Sequence, residues 1–566
     1  MIMKKKNLLF LAPLLVSLFG CSSGRYDINL SCNEGGSLKA YQNGSLLGEA
    51  TSSKKTQLNS LSIGDSFTLQ VNLSEGYKVE SVKNNEKLIT STNAYYAITI
   101  DSLPTNIVVT FKQIESKDAD FTYVYNDDTA TIVSYSSSKL PTPLSLPSST
   151  VHDNKTYKVT GIAKDAFANV GVTKIKIPSS ISKIEYGAFN SVYNLTEIEV
   201  DDANANYKSL DGVLYTKDEK ELIALPSRYD LGDSKTFKVS NSVTSFAPFS
   251  FYASREIEHI EFGSFLESIG EYAFYNATSL VDLSFPTSLK SIGDSAFYQN
   301  SNLKTIAFAE GLEEIGDYAF YGLVYITSLS FPDSLQKIGG NAFYKCDKLK
   351  SVDFGEGVEE IGELAFSNED NIVSLSFPKS LKKIGNSAFS VCSSLTKVNF
   401  KEGLEEIGNS AFALCNNISA ITLPSSLKKI GSNPFYAILK LNASNFSVAS
   451  ESEYFDVVSG VLYTKDHKKL ICYPYGLASS SYKVLDGTEE LAVQSFRLVA
   501  SLSSITLPKS IKKLDECFYA ISSSSSSPFI INYEGSEEEY DEIDKEGSNG
   551  ESYLESTYYC QFNYNA

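Results

Sequence analysis

Tryptophan is absent from the 566-residue chain, and histidine is nearly so: His152, His259 and His467 lie far apart. The eight cysteines form no Cys-x-x-Cys pair. Zinc clusters and histidine-based relays therefore have little to draw on. Positive charge is short as well. Against 68 Asp and Glu stand 49 Lys and Arg, a formal charge of -19 with a pI near 4.8. That balance repels a phosphate backbone and excludes DNA or RNA as a partner. No G-x-S-x-G, P-loop, H-E-x-x-H or G-x-G-x-x-G signature stands in a credible setting. No catalytic residue, metal ligand or cofactor is assigned, and the chain is read as a non-enzyme. Apolar residues are not scarce: 42% hydrophobic against 21% charged predicts folded material. At this length that means several domains or one repeat array.

Residues 1–20 predict a signal peptide, with Lys4, Lys5 and Lys6 ahead of an apolar run from Leu8 to Phe19 and a small Gly20. The run is shorter than the roughly 20 residues that cross a bilayer as a helix. Leu18-Phe19-Gly20-Cys21 resembles the bacterial lipobox. That resemblance implies that Cys21 becomes a lipid-bearing mature N-terminus, followed by a linker to residue 25. The protein would then be held on a bacterial cell membrane, outside the cytoplasm, by its acyl chains.

Phenylalanine recurs at 251, 274, 297, 320, 343, 366, 389, 412 and 435, each 23 residues after the last. Most stand in an Ile-Gly-x-x-Ala-Phe block. Relatives at Phe167, Phe189, Phe496 and Phe518 bring the expectation to about thirteen coils. Twenty-three residues cannot close a core alone, so each unit must bury its apolar edge on its neighbours. A β-rich solenoid follows, with coils about 4.8 Å apart. Within a coil such as Leu-Lys-Thr-Ile-Ala-Phe, Leu303, Ile306 and Phe308 are expected inside, Thr305 and Ala307 outside. Glycines at 293, 316, 339, 362, 385 and 408 mark a turn that needs either positive φ or close packing.

The coils also alternate in chemistry. Phe-Pro-x-Ser-Leu-x-Lys-Ile-Gly coils take turns with Phe-x-Glu-Gly-x-Glu-Glu-Ile-Gly coils, so the true period is 46 residues. A 23-residue offset sets Glu360 between Lys337 and Lys383, and Glu406 between Lys383 and Lys429. Read as a register device, each opposed pair is worth roughly 0.2–1 kcal/mol; an ordinary solvated charged face is the alternative.

These blocks closely resemble the BspA-like, Treponema-type leucine-rich repeat family of bacterial surface proteins, over residues 160–520. Cys346, Cys392 and Cys415 stand at the family's cysteine position, three residues after the repeat phenylalanine. The side chain there is expected to be a buried small residue, with a Cys392–Cys415 disulfide as the alternative. The resemblance implies adhesion to an extracellular or host protein.

Two inserts interrupt the period, near 201–235 and 445–480, and match each other: Gly212 opens GVLYTKDEKELIALP and Gly460 opens GVLYTKDHKKLICYP. Both read as β-hairpins. They either extend the ladder or present tips around Asp218 and Asp466 to a partner. Residues 26–114 predict a small all-β module. Its Gly64-Asp65, Gly76-Tyr77 and Val109-Thr110-Phe111 progression resembles the internalin B-repeat-like spacers of bacterial surface proteins. Residues 121–159 resemble the repeat family's N-terminal capping hairpin. A six-serine run opens residues 521–566, where Ile531 to Ser536 resembles the family's closing strand within an acidic cap.

The candidate binding surface is a tyrosine column one residue after the repeat phenylalanine: Tyr252, Tyr275, Tyr298, Tyr321 and Tyr344, then Tyr436 and Tyr519. Tyrosine offers broad apolar contact and a hydroxyl at low entropic cost. Ladder packing would explain the column equally well. The Ser/Thr-rich strand face around Ser328, Ser330, Ser374 and Ser376 is a second candidate. Protein recognition, glycan binding on tyrosine platforms and an inert envelope spacer are the three readings carried forward.

Overall fold

The computed structural model describes residues 28–34, 36–42, 45–58, 66–73, 77–85, 87–89, 95–100, 105–113, 115–118, 120–137, 140–497, 499, 501–514, 516–518, 521, 528–545 and 560–564. Cys21, Gly64, Asp65, Gly76, Tyr519 and the six-serine run lie outside the described residues. Two compact units are present, one built on residues up to 118 and the other on residues from 131 onward.

The first unit has two sheets, one of five strands and one of four. Alternation within strands such as Ser66–Leu73 puts Phe67, Leu69 and Val71 inside. They share a core with Ile28, Leu30, Ile107, Val109 and Phe111. Among the described residues this unit contains only strands and turns.

The second unit is a solenoid. Each regular coil contributes a three-residue strand, a two-residue strand and a segment of consecutive turns. The two-residue strands pair in parallel, one coil to the next, so that Ile292, Ile315, Ile338, Ile361, Ile384, Ile407 and Ile430 form one column. They belong to a twelve-stranded sheet running from the first insert to Lys429–Ile430. The repeat phenylalanines from Phe251 to Phe435 form a second column, fully buried. Phe274, Phe297, Phe320 and Phe343 follow one another with ring centroids 4.9, 5.1 and 5.3 Å apart and planes within 9°. Each such ring is stabilised by roughly 2–3 kcal/mol of burial that a single coil could not provide.

The turn segment has a ladder of its own. Phe274 N–H donates to the Ala296 carbonyl at 2.7 Å, Phe297 to Ala319 at 2.7 Å, and so on up the stack. Successive coils approach closely at the repeat glycine, and this settles why glycine is there. Gly293 and Gly362 do not have left-handed φ; a Cβ on Gly362 would lie 2.5 Å from Gly340 N. Close packing is the reason. The left-handed conformations fall instead on non-glycine residues flanking the Ala-Phe pair, such as Tyr272 (φ 55°) and Asn276 (φ 58°), Ser387 (φ 51°) and Val391 (φ 63°).

Polar columns keep the register. Asp317 N–H donates to Asp294 Oδ1 at 2.7 Å and Gly340 N–H to Asp317 Oδ1 at 2.6 Å; Asn386 and Asn409 repeat the pattern. The expected charge alternation is present in Cα register, with Glu360 opposite both Lys337 and Lys383. The side chains pair off, however. Lys337 reaches Glu314 and Lys383 reaches Glu360, each at 2.7 Å. About half exposed, such pairs contribute little beyond register.

On the strand face the 46-residue period has a visible consequence. The three-residue strands are hydrogen-bonded two by two, as Asp282–Ser284 with Thr305–Ala307 and Ser374–Ser376 with Lys397–Asn399. Among the described residues no ladder joins one pair to the next.

Both inserts are hairpins, and each takes a place in the ladder: Leu222 pairs with Phe246 and Leu470 with Leu491. Together they add two rungs to the thirteen counted by phenylalanine. Their aspartates are used locally, since Asp218 accepts from Thr216 Oγ1 at 2.7 Å and Asp466 from Thr464 Oγ1 at 2.7 Å. The hairpins share one further contact between equivalent positions: Lys208 pairs with Glu219 in the first, Asp456 meets His467 in the second.

At the far end, Phe529–Tyr533 continues the strand face in parallel with Ser504–Leu507 and is itself covered by Cys560–Tyr564. The acidic segment is not wholly solvated. Ser536 and Glu539 form a capping box for the short helix Glu537–Asp541, which buries Tyr540 against Tyr533 and Phe562.

Candidate functional site

The tyrosine column lies along the turn face, because each tyrosine directly follows an inward phenylalanine between two left-handed residues. Tyr252, Tyr275, Tyr298, Tyr321 and Tyr344 are half-buried and stack in order. Their centroids are 5.4, 5.0, 4.6 and 5.5 Å apart, with interplanar angles of 3°, 4°, 9° and 19°. Tyr436 is not part of this stack. The three coils between carry Ser367, Ser390 and Ala413 at the same position, and Tyr436 instead faces the Arg497 guanidinium at 4.5 Å.

Stacking decides what the column can offer. Within the stack each ring face is covered by the next ring, so ring edges and hydroxyls are what a partner meets. A sugar ring seeking a flat aromatic face finds none between Tyr275 and Tyr321. Burial, with Tyr321 and Tyr275 alongside, pushes the Tyr298 hydroxyl up to about 12, and burial raises Tyr252 and Tyr275 in the same direction. At neutral pH these hydroxyls are protonated and can donate.

A second aromatic row, not foreseen in the tyrosine column, runs beside it three residues earlier. Phe249 stacks on Tyr272 at 5.1 Å, Tyr272 meets Tyr275 at 5.6 Å, and Tyr318 meets Tyr321 at 6.1 Å. Tyr318 is 42% exposed, and Tyr325, one element further on, is 44% exposed. The signal was available in the sequence, since 249, 272 and 318 obey the same 23-residue period with Ser295 between them. Lysines border the far end: Lys345 lies 5.9 Å from the Tyr321 centroid and 5.7 Å from that of Tyr344, and Lys348 sits 4.3 Å over Tyr325. On the strand face, Ser328, Ser330, Ser374 and Ser376 are exposed around buried Leu329 and Leu375.

The cysteine position has a specific role. In four coils the side chain three residues after the repeat phenylalanine donates to the carbonyl of the previous phenylalanine. Asn300 donates to Phe274 at 3.0 Å, Cys346 to Phe320 at 3.7 Å, Cys392 to Phe366 at 3.4 Å and Cys415 to Phe389 at 3.1 Å. The slot is buried throughout, taking a donor in these coils and an apolar side chain in others, as at Ala277, Leu323 and Ile438. Cys392 and Cys415 are free thiols, without the alternative disulfide. Glu369 fills the same slot in the intervening coil. Its side chain is fully buried, its Oε1 accepts from Cys346 N–H at 2.8 Å and its Oε2 has no partner. Burial pushes this carboxyl up to about 8. Among the described residues no cluster of His, Cys, Asp and Glu is arranged to hold a metal ion, and no helix is long and apolar enough to cross a membrane.

Comparison with known proteins gives a consistent result. The family model described as "BspA type Leucine rich repeat region" matches in six copies over residues 148–216, 229–326 and 313–442, half of the chain. None of the curated proteins matches. Among solved structures, the chain is similar to a leucine-rich repeat protein from Eubacterium ventriosum, at 26% identity and a TM-score of 0.41. That match covers 45% of this chain and 65% of that one. A leucine-rich cell surface protein from Faecalibacterium prausnitzii matches at 18% identity and a TM-score of 0.36, over 77% of this chain and 99% of its own. The leucine-rich repeat protein of T. pallidum matches at 22% identity and a TM-score of 0.24, over 42% and 91%.

Proposed function

Because the chain belongs to the BspA-type leucine-rich repeat family, we propose that it is a non-enzymatic, lipid-anchored surface protein that captures an extracellular or host protein along its tyrosine stripe. The single observation that carries this reading is the aromatic double row from Phe249 to Tyr344, half-exposed and rigidly stacked. A rigid aromatic surface with protonated hydroxyls loses little entropy on binding, which is what protein recognition sites favour. Ring faces already covered by neighbouring rings argue against the glycan platform. Cys21 supplies the anchor through its lipobox-like setting.

The experiment is capture from an extracellular-matrix extract by wild type and by a Tyr275→Ser/Tyr298→Ser/Tyr321→Ser variant, with circular dichroism on both. Capture of an identified protein, lost in the variant while the fold persists, supports the proposal. A Tyr→Phe triple variant, which keeps the stack, separates the contribution of the hydroxyls. Equal capture by wild type and the folded serine variant, or capture by neither, overturns it. Glycan-array binding abolished by the same serine variant would restore the sugar reading.

A further inference from the structure

Three positions vary between the 46-residue units in a coordinated way. The residue after the strand-face proline is Thr287, Asp333 and then Lys379; the first residue of the next strand is Thr305, Ser351 and then Lys397; the residue after the following phenylalanine is Ala309, Gly355 and then Lys401. Two units carry neutral or acidic residues at all three places. The third carries lysine at all three.

The structure brings these lysines to one groove of about 630 Å³. It opens at the seam between the strands Lys397–Asn399 and Ile421–Leu423, which no ladder joins. By contrast, Lys337, Lys382, Lys383, Lys428 and Lys429 each meet a glutamate of an adjacent coil at 2.7–2.8 Å. Among the described residues no carboxylate lies within ion-pair distance of Lys379, Lys397 or Lys401. The one acid lining the groove, Glu402, is held by the N–H groups of Ser425 and Ser426 and by the Ser425 hydroxyl.

The remaining lining is Thr396, Asn399, Ser419 and Thr422 over an apolar floor that includes Val398 and Leu423. Thr396 and Ser419 donate to carbonyls of the preceding coil, Asn399 donates to Ser376 Oγ and Thr422 bonds Ser447 Oγ; their oxygens keep lone pairs that accept, which suits a ligand rich in hydroxyls. An acidic peptide would read such a seam by adding a strand. A strand needs about 4.8 Å on each side, and here the two flanking strands belong to successive coils, tied at the seam by Ser419 N–H to the Thr396 carbonyl at 3.1 Å.

We propose that this groove binds a linear polysaccharide carrying carboxylate or sulfate groups. The lysines take the anionic substituents and the Ser, Thr and Asn side chains take the sugar hydroxyls. The site lies on the strand face and is independent of the tyrosine stripe.

The test is calorimetric titration of the full chain with heparin oligosaccharides, with poly-glutamate of similar length as the second probe. Wild type should bind heparin with an affinity that falls as salt rises. A Lys379→Ser/Lys397→Ser/Lys401→Ser variant should bind roughly tenfold more weakly or worse. A Lys382→Ser/Lys383→Ser variant, which removes paired lysines, should change affinity less than about twofold. Melting curves check that both are folded. No heparin binding by wild type at low salt, equal loss in both variants, or poly-glutamate binding as tightly as heparin would each overturn the proposal. Unaltered heparin binding by the tyrosine variant keeps the result separate from the fate of the tyrosine reading.

Discussion

Glu369 stands where neighbouring coils place Asn300, Cys346, Cys392 and Cys415, all of which donate to a phenylalanine carbonyl. By position the carbonyl facing this slot is that of Phe343, but Glu369 Oε2 makes no hydrogen bond to it; only the protonated acid would have a hydrogen to give. Around it face the Cys346 and Cys392 thiols, and Asp347 and Asp370 oppose its ionisation. Burial raises the folded-state value to about 8 from the ordinary 4.5. Below the unfolded value the acid is neutral in both states and its contribution is complete. As pH rises from there to about 8, the unfolded chain ionises and the folded chain does not, so stability falls by up to about 1.4 kcal/mol per pH unit. Above that it levels off. Glu369→Gln keeps the shape and a permanent donor, so its urea midpoint should exceed wild type near pH 8 and lack this slope. Parallel profiles for the two proteins would mean that Glu369 is ionised in the folded state. The phenylalanine and tyrosine columns were legible in the sequence because period alone reveals them. Glu369 was not, because a glutamate reads as a surface residue until its column is shown to be buried.

A coil is specified by two kinds of turn residue that look interchangeable in sequence and are not. Gly362 is required by approach, with Gly339 C at 2.6 Å and Gly340 N at 2.5 Å from where a Cβ would stand. Ser387 is left-handed at φ 51°, a conformation that costs an L-residue about 1 kcal/mol and a glycine almost nothing. Gly362→Ala should therefore destabilise by about 1–3 kcal/mol through forced separation of backbones. Ser387→Gly should be neutral or stabilise by up to about 1 kcal/mol. Thermal midpoints of the two variants check this, and a harmless Gly362→Ala would show that the coils can separate freely. The sequence left conformation and packing open as reasons for these glycines, since both leave the same letter. The charge columns were legible as alternation, but their grouping into Lys337–Glu314 and Lys383–Glu360 pairs depends on side-chain direction, which spacing does not carry.

At the scale of the molecule, the solenoid was legible because coil-to-coil burial repeats a pattern every 23 residues, and the inserts were legible as hairpins because they repeat each other. Where the ladder stops was not. Each insert pairs forward, Leu222 with Phe246 and Leu470 with Leu491. Among the described residues, no strand pairing joins Lys429–Ile430 to the second insert. That hairpin acts as a wall. Leu462, Ile471 and Cys472 belong to the large core extending from Val213, whereas Val461, Tyr463, Leu470 and Tyr473 belong to a separate, smaller core that ends at Ile543. In a stack held by nearest-neighbour contacts, the weakest junction sets where cooperativity breaks. The segment beyond the hairpin should therefore open before the rest. Native-state hydrogen exchange should show the Ala492 amide, bonded to the Leu470 carbonyl at 2.9 Å, opening at lower free energy than the Gly362 and Gly385 amides, each bonded at 2.8 Å inside the twelve-stranded sheet. Leu491→Ala removes a buried side chain from the smaller core, at a cost of about 2–5 kcal/mol. It should lower protection at Ala492 and leave Gly385 unchanged. Equal loss at both amides would mean that the hairpin transmits stability across its two faces and that the solenoid unfolds as one body.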